Sequence, residues 1–113
     1  MNASETVLSQ LMQVILDRQR HPSSGSYTSS LFSEGVNKIG RKISEEAAEV
    51  VEAAAEGESE AASQHLVHEA ADLVYHLLVM LAHRGKTLAD VEAELQRRFG
   101  ISGLEEKASR QEQ

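Results

Sequence analysis

Two short acidic clusters carry the chemistry open to this chain: Glu45-Glu46-x-x-Glu49 and, beyond a glycine-containing turn, Glu69-x-x-Asp72. Carboxylates three and four positions apart share one face of a helix, so two such segments packed side by side direct their oxygens at a common point. Carboxylates that close repel one another unless a cation sits among them. Oxygen donors that leave room for water and phosphate are how Mg²⁺ is held in phosphoryl-transfer sites. Glu46, Glu49, Glu69 and Asp72 are the expected metal ligands, and Glu45 is either a further ligand or the group that orients an attacking water. Lys38 and Lys42 precede the first cluster by one and two turns and are expected to contact phosphates. The competing explanation is that both clusters are only the solvated faces of amphipathic helices.

The elements that would position these residues are legible in the apolar spacing. Val7, Leu8, Leu11, Met12, Ile15 and Leu16 predict a first helix that ends near His21, because Pro22 disfavours helix in the residue before it. Residues 22–33 are crowded with serines and read as a loop, in which Ser26, Tyr27 and Thr28 can pack against a nucleotide or against a partner subunit. A second helix is expected from about Gly35 to Glu56, with an apolar stripe of Val36, Ile39, Ile43, Ala47, Val50 and Ala54. Gly57 and Ser59 then make a tight antiparallel turn. The third helix, from about Glu60 to Arg84, carries a core stripe of Leu66, Ala70, Leu73, Leu77 and Leu81. Beside that stripe runs a polar row of His65, Glu69, Asp72, His76 and His83, so the two acidic rows are expected to meet at the edge of an apolar seam. Thr87-x-x-Asp90 opens a shorter helix that ends at Gly100, and Ser102-x-x-Glu105 starts a short last helix or turn.

Composition narrows the classes. At 113 residues the chain is read as a single domain spanning 1–113, with a short C-terminal tail from 101 to 113. It is rich in Ala, Glu, Leu and Val, which favours an all-α fold of four to five helices. A net charge of −7, from 18 acidic and 11 basic residues, argues against a nucleic-acid binder with a broad basic surface. The absence of cysteine excludes disulfides, thiolate zinc sites and cysteine nucleophiles. No apolar run reaches the roughly 18 residues of a membrane span and the first residues form no signal peptide, so a cytoplasmic protein is expected.

The histidines do not form the His-Glu-x-x-His pattern of zinc proteases or the paired Glu-x-x-His of di-iron bundles. His76, one turn after Asp72, can hydrogen-bond to a ligand, contact a phosphate, or sit in the core on a backbone carbonyl.

Taken together, the residues resemble a known family. The two acidic clusters are similar to those of the all-α nucleoside triphosphate pyrophosphohydrolases. Ser26-Tyr27-Thr28, Leu31-Phe32-x-x-Gly35, Lys38-Ile39-x-x-Lys42, Asp72-Leu73-x-Tyr75-His76, Glu94-Leu95-x-x-Arg98 and Ser102-Gly103-Leu104-x-Glu106-Lys107-Ala108-x-Arg110 resemble the phosphoribosyl-ATP pyrophosphohydrolases of histidine biosynthesis. The resemblance covers nearly the whole chain. It implies a helical-bundle homodimer with an active site in each protomer, and Mg²⁺-dependent hydrolysis of phosphoribosyl-ATP to phosphoribosyl-AMP and pyrophosphate. It also leads one to expect the free-standing enzyme rather than a fusion to the zinc-thiolate cyclohydrolase that follows it. The substrate carries a ribosyl 5′-phosphate besides its triphosphate, which calls for a second cationic patch. With the resemblance, Arg98, Lys107 and Arg110 become its candidates, and Ser102 either binds phosphate or caps the last helix.

Overall fold

Local signals mark most of the helix ends. The computed structural model describes residues 6–99, and among them five helices follow one another: α1 (Val7–Arg20), α2 (Tyr27–Glu34), α3 (Val36–Ala55), α4 (Glu60–His83) and α5 (Leu88–Phe99). The expected all-α class is therefore observed, and no strand occurs among the described residues. Thr6 and Ser9 cap α1 reciprocally, each side chain accepting from the other's backbone N–H. Ser59 accepts from the Ala62 N–H to start α4. At its other end the Lys86 N–H reaches the Leu81 carbonyl and the Gly85 N–H that of Ala82, with Gly85 in the left-handed region. Thr87 and Asp90 then make the expected cap of α5, the Thr87 N–H donating to Asp90 at 2.8 Å.

The serine-rich segment departs from expectation. It is not a loop through residue 33, because α2 begins at Tyr27 and only residues 21–26 connect it to α1. Serines favour turns because their hydroxyls bond nearby backbone, and the same property makes Ser26 a helix cap: its side chain accepts from the Ser29 N–H at 3.2 Å. Leu31, four residues into the helix, is fully buried and anchors it. Gly35 joins α2 to α3 at φ +84°, a left-handed conformation that a side chain would strain.

The core joins Met12 and Ile15 of α1, Leu31 of α2, Ile39 of α3, and Leu78, Val79 and Ala82 of α4. α3 and α4 pack along their lengths as an antiparallel hairpin, α1 and α2 close over α4, and α5 lies against α1. Among the described residues no helix is long and apolar enough to cross a membrane.

Within the hairpin the buried residues recur every seventh position: Ile39, Glu46 and Ala53 on α3, Ala62, Glu69 and His76 on α4. This is the spacing of a coiled-coil seam, where apolar side chains are the rule. Glu46, Glu69 and His76 thus enter the seam, while Glu45 and Glu49 stay exposed and Asp72 is half-buried. The expected leucine stripe of α4 is turned partly outward, with Leu66, Ala70, Leu73 and Leu81 only half-buried and Leu77 exposed. On α3, Val36, Ala47 and Ala54 of the expected stripe are exposed, as are Val51 (69%) and, on α4, Val67 (67%). A single helix stripe cannot face two neighbours at once, and in one chain the polar row has the interior position.

Replacing Leu31 with Ala should cost about 2–5 kcal/mol in chemical denaturation, because it empties a fully buried site joining α2 to the core. Val7→Ala, at an exposed position, should stay within about 0.5 kcal/mol. Equal midpoints for the two variants would mean that α2 is not packed as described.

Candidate active site

Glu46 on α3 and Glu69 on α4 are the buried carboxylates of the hairpin, 6% and 8% exposed. Glu46 Oε1 and Glu69 Oε2 are buried with no hydrogen-bond partner. A buried carboxylate oxygen left without a donor costs free energy comparable to its lost solvation, so such groups ordinarily pair or bind a cation. Glu49, exposed one turn after Glu46, shares a hydrogen bond with Glu69, which together with the repulsion from Glu69 lifts its carboxyl above the usual range. Burial pushes the Glu46 carboxyl up as well; His76 and Lys42 act in the other direction, and Asp72 and Glu49 add repulsion.

Asp72 completes the group on α4. It is half-buried, and His68 Nε2 stands 3.4 Å from its Oδ2. His68, Glu69 and Asp72 each bring one donor atom to within 4.8 Å of the others, a constellation that sequence reasoning passed over because the histidine spacing matches no zinc motif. His65 is a further neighbour: its Nδ1 lies 2.9 Å from Glu56 and its Nε2 3.4 Å from Glu69, so it links the end of the turn to the acidic row. The donor set of carboxylate oxygens, two of them orphaned and buried, fits a hard divalent cation such as Mg²⁺.

Glu45 is exposed, 3.5 Å from Lys42 Nζ. Lys42 also stands near the Tyr27 hydroxyl, the largest influence raising its ammonium above the usual lysine range. Lys38, one turn earlier, is partly buried and makes no ion pair among the described residues.

His76 is 4% exposed and is engaged on both ring nitrogens. Its Nδ1 lies 2.9 Å from the Asp72 carbonyl oxygen and its Nε2 lies 2.8 Å from the Tyr27 hydroxyl. Glu46 Oε1 lies against the same Nδ1, at an angle that leaves that oxygen without a hydrogen bond. Of the roles open to His76 in the sequence, this geometry fits a buried histidine on a backbone carbonyl that also stands behind the carboxylates, with neither nitrogen presented to an open surface. Tyr27 is held in turn by stacking on Tyr75, with ring centroids 6.3 Å apart, and Thr28 hydrogen-bonds the Tyr75 hydroxyl.

Arg98 is not brought to the acidic group within the chain. Its Nε is 3.5 Å from Glu94, on a helix that packs against α1. Glu94 also binds Arg97 and is held below the usual carboxylate range by those guanidinium contacts, first that of Arg97. Ser102, Lys107 and Arg110, like the expected helix start at Ser102, lie outside the described residues.

Comparison with known proteins agrees with the pattern of residues. The sequence model of the family described as phosphoribosyl-ATP pyrophosphohydrolase matches residues 8–99. A protein of Rhodopirellula baltica named phosphoribosyl-ATP pyrophosphatase is 52% identical over 103 residues, covering 91% of this chain and 85% of its own. Proteins of the same name from Geobacter sulfurreducens and Trichlorobacter lovleyi are 47% and 48% identical over 112 residues, each covering 99% of this chain and all of the relative. With paired carboxylate clusters on one helical hairpin and matches of this extent, the chain belongs to the phosphoribosyl-ATP pyrophosphohydrolase family.

Proposed function

We propose that this chain hydrolyses phosphoribosyl-ATP to phosphoribosyl-AMP and pyrophosphate, the second step of histidine biosynthesis, with Mg²⁺ held by Glu46, Glu49, Glu69 and Asp72. The observation that carries the cation site is the pair of orphaned buried oxygens, Glu46 Oε1 and Glu69 Oε2, on facing helices. The names of the relatives support the substrate. The site as a whole belongs to a cytoplasmic enzyme of small-molecule metabolism.

The chemistry needs an activated water, neutralised phosphoryl charge and a stabilised leaving group. Bound Mg²⁺ supplies charge neutralisation and a water of lowered pKa. The chain's own residues do the rest. Glu46 and Glu69 fix the position of the site by being locked in the seam, while Glu49 and Asp72, more exposed, complete it towards solvent. Glu45 stands at the rim, where its carboxylate can accept a hydrogen bond from the attacking water and take its proton. Lys42 and Lys38 align along α3 to bind the polyphosphate oxygens. Arg98, Ser102, Lys107 and Arg110 are assigned to the ribosyl 5′-phosphate.

A homodimer is part of this reading. Val51, Val67 and Leu77 leave an exposed apolar face on the hairpin, beside the half-buried leucine row of α4. A second copy laid on that face would cover it and complete a helical bundle.

The direct test is pyrophosphate release from phosphoribosyl-ATP, ATP and dCTP, with and without Mg²⁺. Release from phosphoribosyl-ATP that requires Mg²⁺ supports the proposal; preference for an ordinary nucleotide, or none in any arm, refutes it. Glu46→Gln, Glu49→Gln, Glu69→Gln and Asp72→Asn should each lower kcat/KM by roughly a hundredfold or more, about 2.7 kcal/mol of transition-state stabilisation. Saturating Mg²⁺ should raise the melting temperature of the wild type, by the equivalent of about 2.7 kcal/mol at a hundredfold excess over Kd. The four variants should lose that rise while melting no lower than wild type without metal, since carboxylate repulsion is relieved. A variant that keeps the rise contradicts the role of its residue.

Deletion from Ser102 onward should lower kcat/KM on phosphoribosyl-ATP by roughly ten- to a hundredfold for each phosphate-binding cation it removes. Residual hydrolysis of ATP should change little. Equal losses on the two substrates would remove the tail from the selectivity of the site.

A further inference from the structure

Tyr27 is placed the wrong way round for an aromatic that serves only burial. Such a ring packs inward and leaves its hydroxyl in water. Tyr27 is 48% exposed, yet its hydroxyl turns in to meet a nitrogen of a histidine that is 4% exposed. The protons in this contact can be assigned. A carbonyl oxygen only accepts, so His76 Nδ1, 2.9 Å from the Asp72 carbonyl, carries a hydrogen. In the neutral ring Nε2 is then an acceptor, and Tyr27, whose hydroxyl has a proton to give, donates to it at 2.8 Å. The ring is thereby held as the Nδ1–H tautomer, and the protonated edge faces both the Asp72 backbone and Glu46 Oε1.

We propose that Tyr27 and His76 are a positioning pair for the carboxylate site, in which the Tyr27 hydroxyl fixes the tautomer and angle of His76, and His76 fixes Glu46 and the turn of α4 bearing Asp72. This deepens the proposed function and rests on its cation site. It also gives the serine-rich segment a purpose. Ser26 caps α2 so that Tyr27 is its first residue, and the Tyr75 stack with the Thr28 bond holds that first turn against α4. Loss of the Tyr27 proton donor frees the ring to move its hydrogen to Nε2. A lone pair would then face the Asp72 carbonyl and the Glu46 carboxylate, and both would turn away from their present directions.

The test uses the full chain, ¹⁵N-labelled and metal-free at neutral pH, with the histidine ring nitrogens read by NMR. In the wild type His76 should show a protonated Nδ1 and an unprotonated Nε2; an Nε2–H tautomer or a doubly protonated ring overturns the proposal. Tyr27→Phe keeps the ring and its stack on Tyr75. It should shift His76 towards a mixture of tautomers and weaken Mg²⁺ binding, titrated calorimetrically, by roughly ten- to a hundredfold. Its metal-free melting temperature should stay near that of the wild type, and its kcat should recover at saturating Mg²⁺. Unchanged Mg²⁺ affinity, or a loss matched by general destabilisation, contradicts a positioning role. The wild-type tautomer is read without metal or substrate, so it stands even if Mg²⁺-dependent pyrophosphate release is absent, an outcome that refutes the proposed function alone.

Discussion

Two carboxylates buried in the seam of a helical hairpin set the terms for the rest of this structure. Seven-residue spacing puts Glu46 and Glu69 where a coiled coil has its apolar contacts. Each keeps an oxygen with no hydrogen-bond partner. The desolvation of a carboxylate is costly enough that folding alone does not favour this arrangement. Within the chain Glu46 Oε1 has His76 Nδ1 beside it, at an angle that makes no hydrogen bond, and a hard cation would supply what is missing with the donor atoms present. The apolar residues concentrate at the α1, α2 and lower α4 end, around Ile15, Leu31, Ile39 and Val79, which anchors the hairpin while its middle carries the charge.

Stability and chemistry are divided along the same helices. Every buried residue of the central hairpin is either a small or apolar filler or a member of the acidic group and its supports. Support comes from both ends: His65 ties Glu69 to Glu56 at the turn, and His76 joins Glu46 and the Asp72 backbone to Tyr27 of α2. A rigid second layer of this kind is what holds ligands to a productive geometry.

Much of this was legible in the sequence, for reasons that differ by residue. The helix end at His21 follows from Pro22, and those at Ser59, Gly85 and Thr87 from capping chemistry that acts within a few residues, so local sequence suffices. The acidic clusters were visible because helical spacing alone puts them on one face. The side on which that face would lie was not. Periodicity distinguishes the leucine row of α4 from the Glu69 row but cannot say which one a single chain buries when both have a neighbour to meet. The start of α2 was hidden because serine clusters support turns and caps alike, and only Leu31 packing decides between them. Tyr27 and His76 lie 49 residues apart, and no spacing rule could pair them.

The central claim is that the orphaned oxygens of Glu46 and Glu69 share one cation site. It is tested most directly by crystallising the protein with Mn²⁺ in place of Mg²⁺ and locating the metal by anomalous diffraction at the manganese edge. The account predicts a peak between α3 and α4, about 2.0–2.2 Å from Glu46 Oε1 and Glu69 Oε2, distances at which hard divalent cations of this size bind carboxylates. A metal found only at exposed carboxylates outside the seam, with those two oxygens still unpartnered, would contradict it.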